Sequence, residues 1–163
     1  MPLHPISPIF DENSRILILG SFPSVKSRQQ LFYYAHPQNR FWPLIARLCG
    51  VPCPTTADEK TALLLRHGIA LWDVIASCSI EGSADTTITD VVPNDISIIL
   101  NTAHISRVFT NGGKANELYR KYILPVTGIE AIALPSTSPA NASFTLDKLA
   151  DKWHVITEYI TNI

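Results

Sequence analysis

Cysteine, methionine and charge are all scarce in this chain of 163 residues, which has three cysteines, one methionine and 17% charged residues. An odd cysteine count is poor material for a disulfide framework. The Cys49-x-x-x-Cys53 spacing, with Cys78 elsewhere, is completed by no further His or Cys into a four-ligand zinc or iron–sulfur set. Buried or inert thiols are expected, with no metal and no cofactor. The formal net charge is −1, from 13 Lys plus Arg against 14 Asp plus Glu. That excludes nucleic-acid binding through bulk positive charge but is compatible with a local basic rim. Long apolar runs are missing too. Stretches such as Arg15 to Leu19 and Ile96 to Leu100 are far too short to span a membrane. Met1-Pro2-Leu3-His4-Pro5 has no basic segment leading into an apolar one, so no signal peptide is expected. The cytoplasm is the expected location, on the nucleoid in a prokaryote.

Apolar residues are plentiful, at 46%. Disorder is thereby excluded, and one globular domain over residues 1–163 is expected. Short apolar runs alternate with amphipathic stretches. Arg15 to Gly20, Gly68 to Val74, Arg107 to Thr110 and Ile129 to Leu134 read as buried strands. Phe41, Leu44, Ile45 and Leu48 have helical spacing. Thr56-Ala-Asp-Glu59 has capping-box spacing ahead of Leu63, Leu64 and His67. Asn94 or Asp95 can cap a helix through Leu100. Lys114 to Ile123 reads as a helix stopped near Pro125, and Leu149, Trp153, Ile156 and Ile160 form the stripe of a last helix. Strand alternating with helix predicts an α/β fold: a three-layer α/β/α sandwich around a mostly parallel four-stranded sheet.

Two segments do not fit this scheme. Ser21 to Gln38 is long and polar, and Ser136 to Ser143 is a loop of small residues. Both follow predicted strands at their carboxyl ends, where open α/β sheets bind ligands, and Asn111 ends a third such strand. Gly20-Ser-Phe-Pro-Ser24 is neither a nucleophile elbow nor a phosphate loop, and no dinucleotide glycine pattern is present. Tyr33-Tyr34-Ala-His36-Pro-Gln-Asn39-Arg40-Phe41-Trp42 crowds aromatic, amide, imidazole and guanidinium groups together. Aromatics can sandwich a flat base, amides can read its edge and Arg40 can hold a phosphate. The plainer reading makes Asn39 a helix cap and Phe41 and Trp42 core residues. Asn111 can likewise be a turn residue before Gly112-Gly113, and Ser136, Ser138 and Asn141 ordinary turn chemistry.

Ala35-His-Pro-Gln-Asn-Arg-Phe-Trp42, following a strand that ends Gly-Ser-Phe-Pro-Ser, resembles the uracil-DNA glycosylase superfamily. Leu134-Pro-Ser-Thr-Ser-Pro-Ala-Asn141 is similar to its second motif, the loop that enters the DNA groove. Gly68-Ile-Ala-Leu-Trp-Asp-Val-Ile75 and Glu81-Gly-Ser-Ala-Asp85 resemble the hypoxanthine branch of deoxyinosine glycosylases. The resemblance runs from about residue 15 to 150. It implies excision of a deaminated base, most specifically hypoxanthine. Mismatch-specific uracil or thymine excision is the alternative within the class, and a non-catalytic nucleotide- or nucleic-acid-binding α/β module is the rival outside it. One departure stands out: Phe22 occupies the position where other branches carry an asparagine or an acid, and the resemblance then gives the catalytic role to Asn39. Iron–sulfur branches do not match, because the cluster cysteines are absent.

The resemblance further implies a mechanism. The nucleotide is extruded into a pocket at a cost of a few kcal/mol. The bond breaks towards an oxocarbenium-like sugar, and Asn39 positions the water. Gly20, Phe22, Tyr34, His36 and Asn111 are the expected base pocket, with Tyr34 stacking on the base. Arg40, Ser136, Ser138 and Asn141 are the expected DNA contacts. Apart from the resemblance, Lys26, Arg28 and Arg40 cluster on one loop and are the expected basic rim, with a solvated surface the simpler alternative for Lys26 and Arg28. Asp73 and Asp85 fit the hypoxanthine pattern without an assigned role, although Asp73 can orient a loop at the strand end. His4, His67, His104 and His154 stand alone and read as structural. A monomer acting without lyase chemistry on deaminated bases in double-stranded DNA, and in single strands as a further substrate, is expected.

Overall fold

The computed structural model describes residues 4–161. Met1 to Leu3, the start of the stretch read above for a signal peptide, lie outside the described residues, as do Asn162 and Ile163. Strands β1 (Ile16–Gly20), β2 (Ile69–Asp73), β5 (Arg107–Asn111) and β6 (Ala131–Leu134) form a parallel sheet in the order β2-β1-β5-β6. The predicted strands are all found. Central β1 is fully buried, as a continuous apolar run in a covered parallel sheet should be. Its side chains alternate between two cores. Ile16 and Ile18 pack with α2 (Phe41–Cys49) and α7 (Leu146–Trp153), whereas Leu17 and Leu19 pack with Ile99, Leu118, Tyr119 and Ile123 on the other face. The two-residue period of the strand thus builds the three layers. Helices α3 (Ala57–Arg66), α4 (Ser97–Leu100), α5 (Gly113–Leu118) and α6 (Leu124–Thr127) complete them. No described helix is long and apolar enough to cross a membrane.

Several local expectations change. The run after Gly68 breaks at Val74 and continues as β3 (Ile75–Ser79), antiparallel to β4 (Thr89–Pro93) in a separate two-stranded sheet. Neither Asn94 nor Asp95 is the cap of α4, whose N-cap is Ile96 without a side-chain cap bond; Asp95 Oδ1 accepts the Ser97 N–H at 3.0 Å from one residue further out. Asn94 instead donates to the carbonyls of Asp73 and Ile75, fastening the break. The helical run from Gly113 does not stop near Pro125. A π-helical stretch, Tyr119–Ile123, leads into α6, which carries Pro125 in its first turn. There its missing N–H costs little. The final stripe is confirmed as core, with Leu149, Trp153, Ile156 and Ile160 all buried, although the helix tightens to 3₁₀ geometry over His154–Glu158. All three cysteines are free: Cys78 is buried, Cys49 half-buried and Cys53 exposed, so burial does not cover Cys53. Burial pushes the Cys49 thiol up to about 11.

Candidate active site

The carboxyl ends of β1, β2, β5 and β6 open onto one cleft of about 140 Å³. For scale, a cavity of roughly 150 Å³ accommodates a benzene-sized ring. The loop after β1 is not structureless. Ser24 caps α1 (Val25–Gln30), and the chain then turns at Leu31 and Tyr34, both at positive φ. Tyr34 therefore folds back, with its ring stacked on Phe41 at 4.2 Å and 23°. The indole of Trp42 donates to the Tyr33 carbonyl at 3.0 Å and pins the same turn.

At the cleft's centre lies a chain of polar groups. Asn39 Oδ1 accepts the Phe41 N–H and the Thr137 hydroxyl, each at 2.9 Å. Thr137 Oγ1 in turn accepts from Asn111 Nδ2 at 3.0 Å. The Thr137 N–H donates to Asn111 Oδ1, which fixes that amide's orientation, and the other Asn111 N–H goes to the Tyr34 hydroxyl at 3.1 Å. The Phe41 N–H fixes the Asn39 amide in the same way, leaving Asn39 Nδ2 without a partner among the described residues. Thr137 is fully buried. It joins the two motif loops, and reading the Ser-Thr-Ser run as turn chemistry missed it. Its one signal was a β-branched residue inside a loop of small ones.

The floor is built by Gly20 and Asp73. A Cβ on Gly20 would collide with Asp73 Oδ1 and lie 3.0 Å from the Tyr34 hydroxyl, so only glycine leaves room for both. Asp73 Oδ2 accepts from His4 Nε2 at 2.7 Å. His4 Nδ1 accepts the Ile6 N–H at 3.3 Å, which assigns the ring proton to Nε2. His4 thus has company that its sequence neighbourhood did not show. The N-terminal segment pairs with β2 through Ile9 and Leu71 and delivers His4 beside Phe22 at 5.9 Å. Burial, and next the charge of Asp73, push the phenol of Tyr34 upward, so the ring meets a ligand as a neutral hydroxyl.

Comparison with known proteins follows the same lines. The uracil DNA glycosylase superfamily profile matches residues 7–159. The chain belongs to the uracil DNA glycosylase superfamily. A protein named hypoxanthine DNA glycosylase from Methanosarcina acetivorans is 38% identical over 150 residues, covering 91% of this chain and 93% of the relative. One of the same name from Methanosarcina barkeri is 38% identical over 136 residues, covering 82% and 85%. The solution NMR structure of a candidate uracil DNA glycosylase from Methanosarcina acetivorans superposes with TM-score 0.80 at 35% identity, covering 93% and 94% of the two chains. The protein is a DNA glycosylase, a hydrolase of the N-glycosidic bond of a damaged base in DNA.

The glycosylase's cleft gathers Asn39, Gly20, Phe22, Tyr34, His36, Asn111, Ser136 and Ser138. Phe22 is a buried wall. His36 Nδ1 accepts the Gln38 N–H at 3.1 Å, which leaves Nε2 as its outward donor. Asn111 departs from the expected base reader, because both its amide hydrogens are committed to Tyr34 and Thr137. Tyr34 has one ring face covered by Phe41, so stacking on a base is confined to the other.

Arg40 is the clearest correction. Its guanidinium donates to the carbonyls of Thr137, Ser138, Asn141 and Phe144 and is spent on building the second loop rather than on phosphate. Asn141 does not line the cleft. Its amide closes the loop onto the Ser136 carbonyl at 3.0 Å. Ser136 and Ser138 line the cleft while their hydroxyls cap the backbone of Ser138 and Ala140. Turn chemistry and a place in the site therefore coexist. Of the expected basic rim, Lys26 is exposed, whereas Arg28 lies over Phe22 and bonds the Gly82 carbonyl, and Arg40 faces the other loop. Asp85 has no role assigned by the sequence, and the structure gives it a place. It lines the cleft and accepts the Ser21 hydroxyl at 3.2 Å. The residue as a whole is solvent-exposed, yet the protein packed around its carboxyl, the largest influence, pushes it up. Among the described residues no three His, Cys, Asp or Glu side chains group as metal ligands.

Proposed function

We propose that this glycosylase removes hypoxanthine from DNA as a monomer without lyase activity, in the cytoplasm, taking duplexes and single strands. The observation that carries the reading is the 38% identity, over 91% of the chain, to a protein named hypoxanthine DNA glycosylase. Phe22 supports it: a ring stands where other branches hold an asparagine or acid, and it walls a cleft large enough for a flat ring. An extruded base enters between Phe22 and the open face of Tyr34, which offers stacking to any purine or pyrimidine. A hypoxanthine mispair is weaker than a normal pair, and extrusion is correspondingly cheaper.

Asn39 contributes through Nδ2. Its oxygen already accepts two hydrogen bonds, so the amide meets the reaction as a donor. It holds the attacking water by an oxygen lone pair and fixes the line of attack on C1′. The base departs with the bonding electrons, and His36 Nε2 is an outward donor at the cleft for developing negative charge. No lysine lines the cleft among the described residues, so no amine stands ready to attack the sugar as a lyase requires.

The test is cleavage of labelled duplexes and single strands, each holding one hypoxanthine, uracil, xanthine or mismatched thymine, with and without alkali. Alkali-dependent breaks at hypoxanthine establish the reading. Breaks at uracil or thymine alone replace hypoxanthine with mismatch excision, and alkali-independent breaks reveal a lyase. Sedimentation of the purified protein decides its oligomeric state.

A further inference from the structure

We propose that Asp85 is the proton acceptor of the hydrolysis, the carboxylate that takes a proton from the water attacking C1′. The proposal rests on the reading of this cleft as the site of N-glycosidic hydrolysis. A water that adds to the sugar must lose a proton. Asn39 cannot take it, because an amide oxygen has two lone pairs and both are filled, by Phe41 N–H and Thr137 Oγ–H. The loop after β1, Ser21 to Gln38, contains no Asp or Glu.

Two carboxylates line the cleft among the described residues, Asp73 and Asp85. The Asp73 side chain is only 5% exposed; it lies behind Gly20 and is held by His4. Asp85 begins the 3₁₀ turn Asp85–Thr87 between β3 and β4. That connection is fastened over the loop after β1 at three points. The Val25 N–H donates to Ser83 Oγ at 2.9 Å, Arg28 donates to the Gly82 carbonyl at 2.5 Å, and the Ser21 hydroxyl donates to Asp85 Oδ1. Ser21 is the residue before Phe22. The β3–β4 connection therefore carries a carboxylate to the part of the loop that lacks one. One carboxylate oxygen is fixed by Ser21, and Oδ2 has no partner among the described residues. A general base needs this combination of a fixed orientation and a free lone pair.

The step balances. A lone pair of the water oxygen forms the O–C1′ bond, and the C1′–N9 bond breaks with its electrons going to the base. One water proton passes to Asp85 Oδ2, leaving a hydroxyl on C1′. Asp85 later returns the proton to solvent, and the base anion is protonated from the same pool. The groups that act on Asp85 come from several elements: Ser21, Tyr34, Asp73, Cys78 on β3 and Lys114 on α5; Arg28 on α1 bonds the Gly82 carbonyl of the same connection, and His4 is held by Asp73. Partial desolvation by the surrounding protein and then Asp73 raise the carboxyl of this solvent-exposed residue, Ser21 and Lys114 lower it, and the outcome is upward. Such a shift moves a carboxylate towards the working pH of a base.

Single-turnover rates across pH, on hypoxanthine and uracil duplexes, test this with Asp85→Asn and Asp85→Glu. Asparagine still accepts from Ser21 but takes no proton. Asp85→Asn should lose about 10²–10⁴-fold in rate, with unchanged affinity for a duplex carrying a tetrahydrofuran abasic analogue. The acid limb of the wild-type profile should vanish with it, and Asp85→Glu should restore part of the rate together with a shifted limb. A rate for Asp85→Asn within about threefold of wild type, an acid limb that survives in it, or a loss confined to duplex affinity overturns the proposal. If Asp85→Asn fails to fold, a wild-type rate that is flat through the acid range overturns it equally. Cleavage of uracil but not hypoxanthine rejects the substrate reading alone, and Asp85 is then scored on uracil. Cleavage of neither rejects both.

Discussion

Replacing Thr137 by valine removes one hydroxyl and leaves the side chain's outline nearly unchanged. In the folded protein that hydroxyl donates to Asn39 and accepts from Asn111, and Thr137 is fully buried. Two hydrogen bonds are lost, at about 1 kcal/mol each. The abandoned Asn111 N–H is buried as well, which raises the cost towards 2–4 kcal/mol in total, a rough figure. For a chain of this size each kcal/mol moves Tm by about 2–4 °C, so the midpoint should fall by roughly 4–16 °C. The functional cost is separate. Asn39 keeps only its Phe41 anchor, and its Nδ2 is aimed by one bond instead of two. A positioning loss of about 1.4–2.7 kcal/mol corresponds to roughly 10–100-fold in rate. Single-turnover excision at a temperature where both proteins are folded, beside a thermal melt, measures the two costs independently. Thr137→Ser retains the hydroxyl and should recover most of the rate. A valine variant with wild-type rate and wild-type Tm would refute the claim that Thr137 aims Asn39.

Other expectations are quicker to state. Gly20→Ala should abolish excision while the protein still folds, because the new methyl group collides with Asp73 Oδ1 at the cleft floor; turnover equal to wild type would place the floor elsewhere. Arg40→Lys loses a four-carbonyl clasp and should cost about 2–4 kcal/mol in a denaturant titration. The salt dependence of DNA affinity should not change, whereas loss of a phosphate contact would reduce its slope by about one. Asp85 has a carboxyl raised in the folded state, so its ionisation works against folding: stability falls as pH rises from the ordinary aspartate range through the raised value. Asp85→Asn should therefore melt slightly higher than wild type near neutral pH, by the small amount a solvent-screened, exposed carboxylate allows, and lose that advantage in acid, a difference read by thermal melts across pH. Of the three thiols, exposed Cys53 should react with maleimide well before half-buried Cys49, held up to about 11, and buried Cys78; mass spectrometry of timed samples orders them.

The layered architecture was legible because apolar runs such as Ile16 to Leu19 and stripes such as Leu149, Trp153 and Ile156 report burial directly. The site's location was legible for a related reason, since parallel strands leave their polar ends on one edge. What side chains do across the fold was not. Asn39 and Thr137 are 98 positions apart, and no spacing rule connects them. Arg40 reads as a cation seeking phosphate because carbonyl acceptors from a distant loop are invisible in sequence. His4 looked solitary because its partner Asp73 lies 69 positions away. The β3–β4 pair stayed hidden because Val74 continues the apolar run while the backbone turns. Asp85 lay on that unseen pair.

The Asn39–Thr137 bond also has a bearing on synthesis. The chain emerges from the ribosome amino end first, and domains gain their structure as they emerge. Asn39 appears early, yet the hydroxyl that aims it follows β6, the edge strand, and the Arg40 clasp ends at the carbonyl of Phe144. A nascent or truncated product ending before that loop holds the Asn39 segment with its amide anchored by the Phe41 N–H alone. Excision should therefore wait for the last fifth of the chain, and a product ended before Ser136 should be far slower than the full chain.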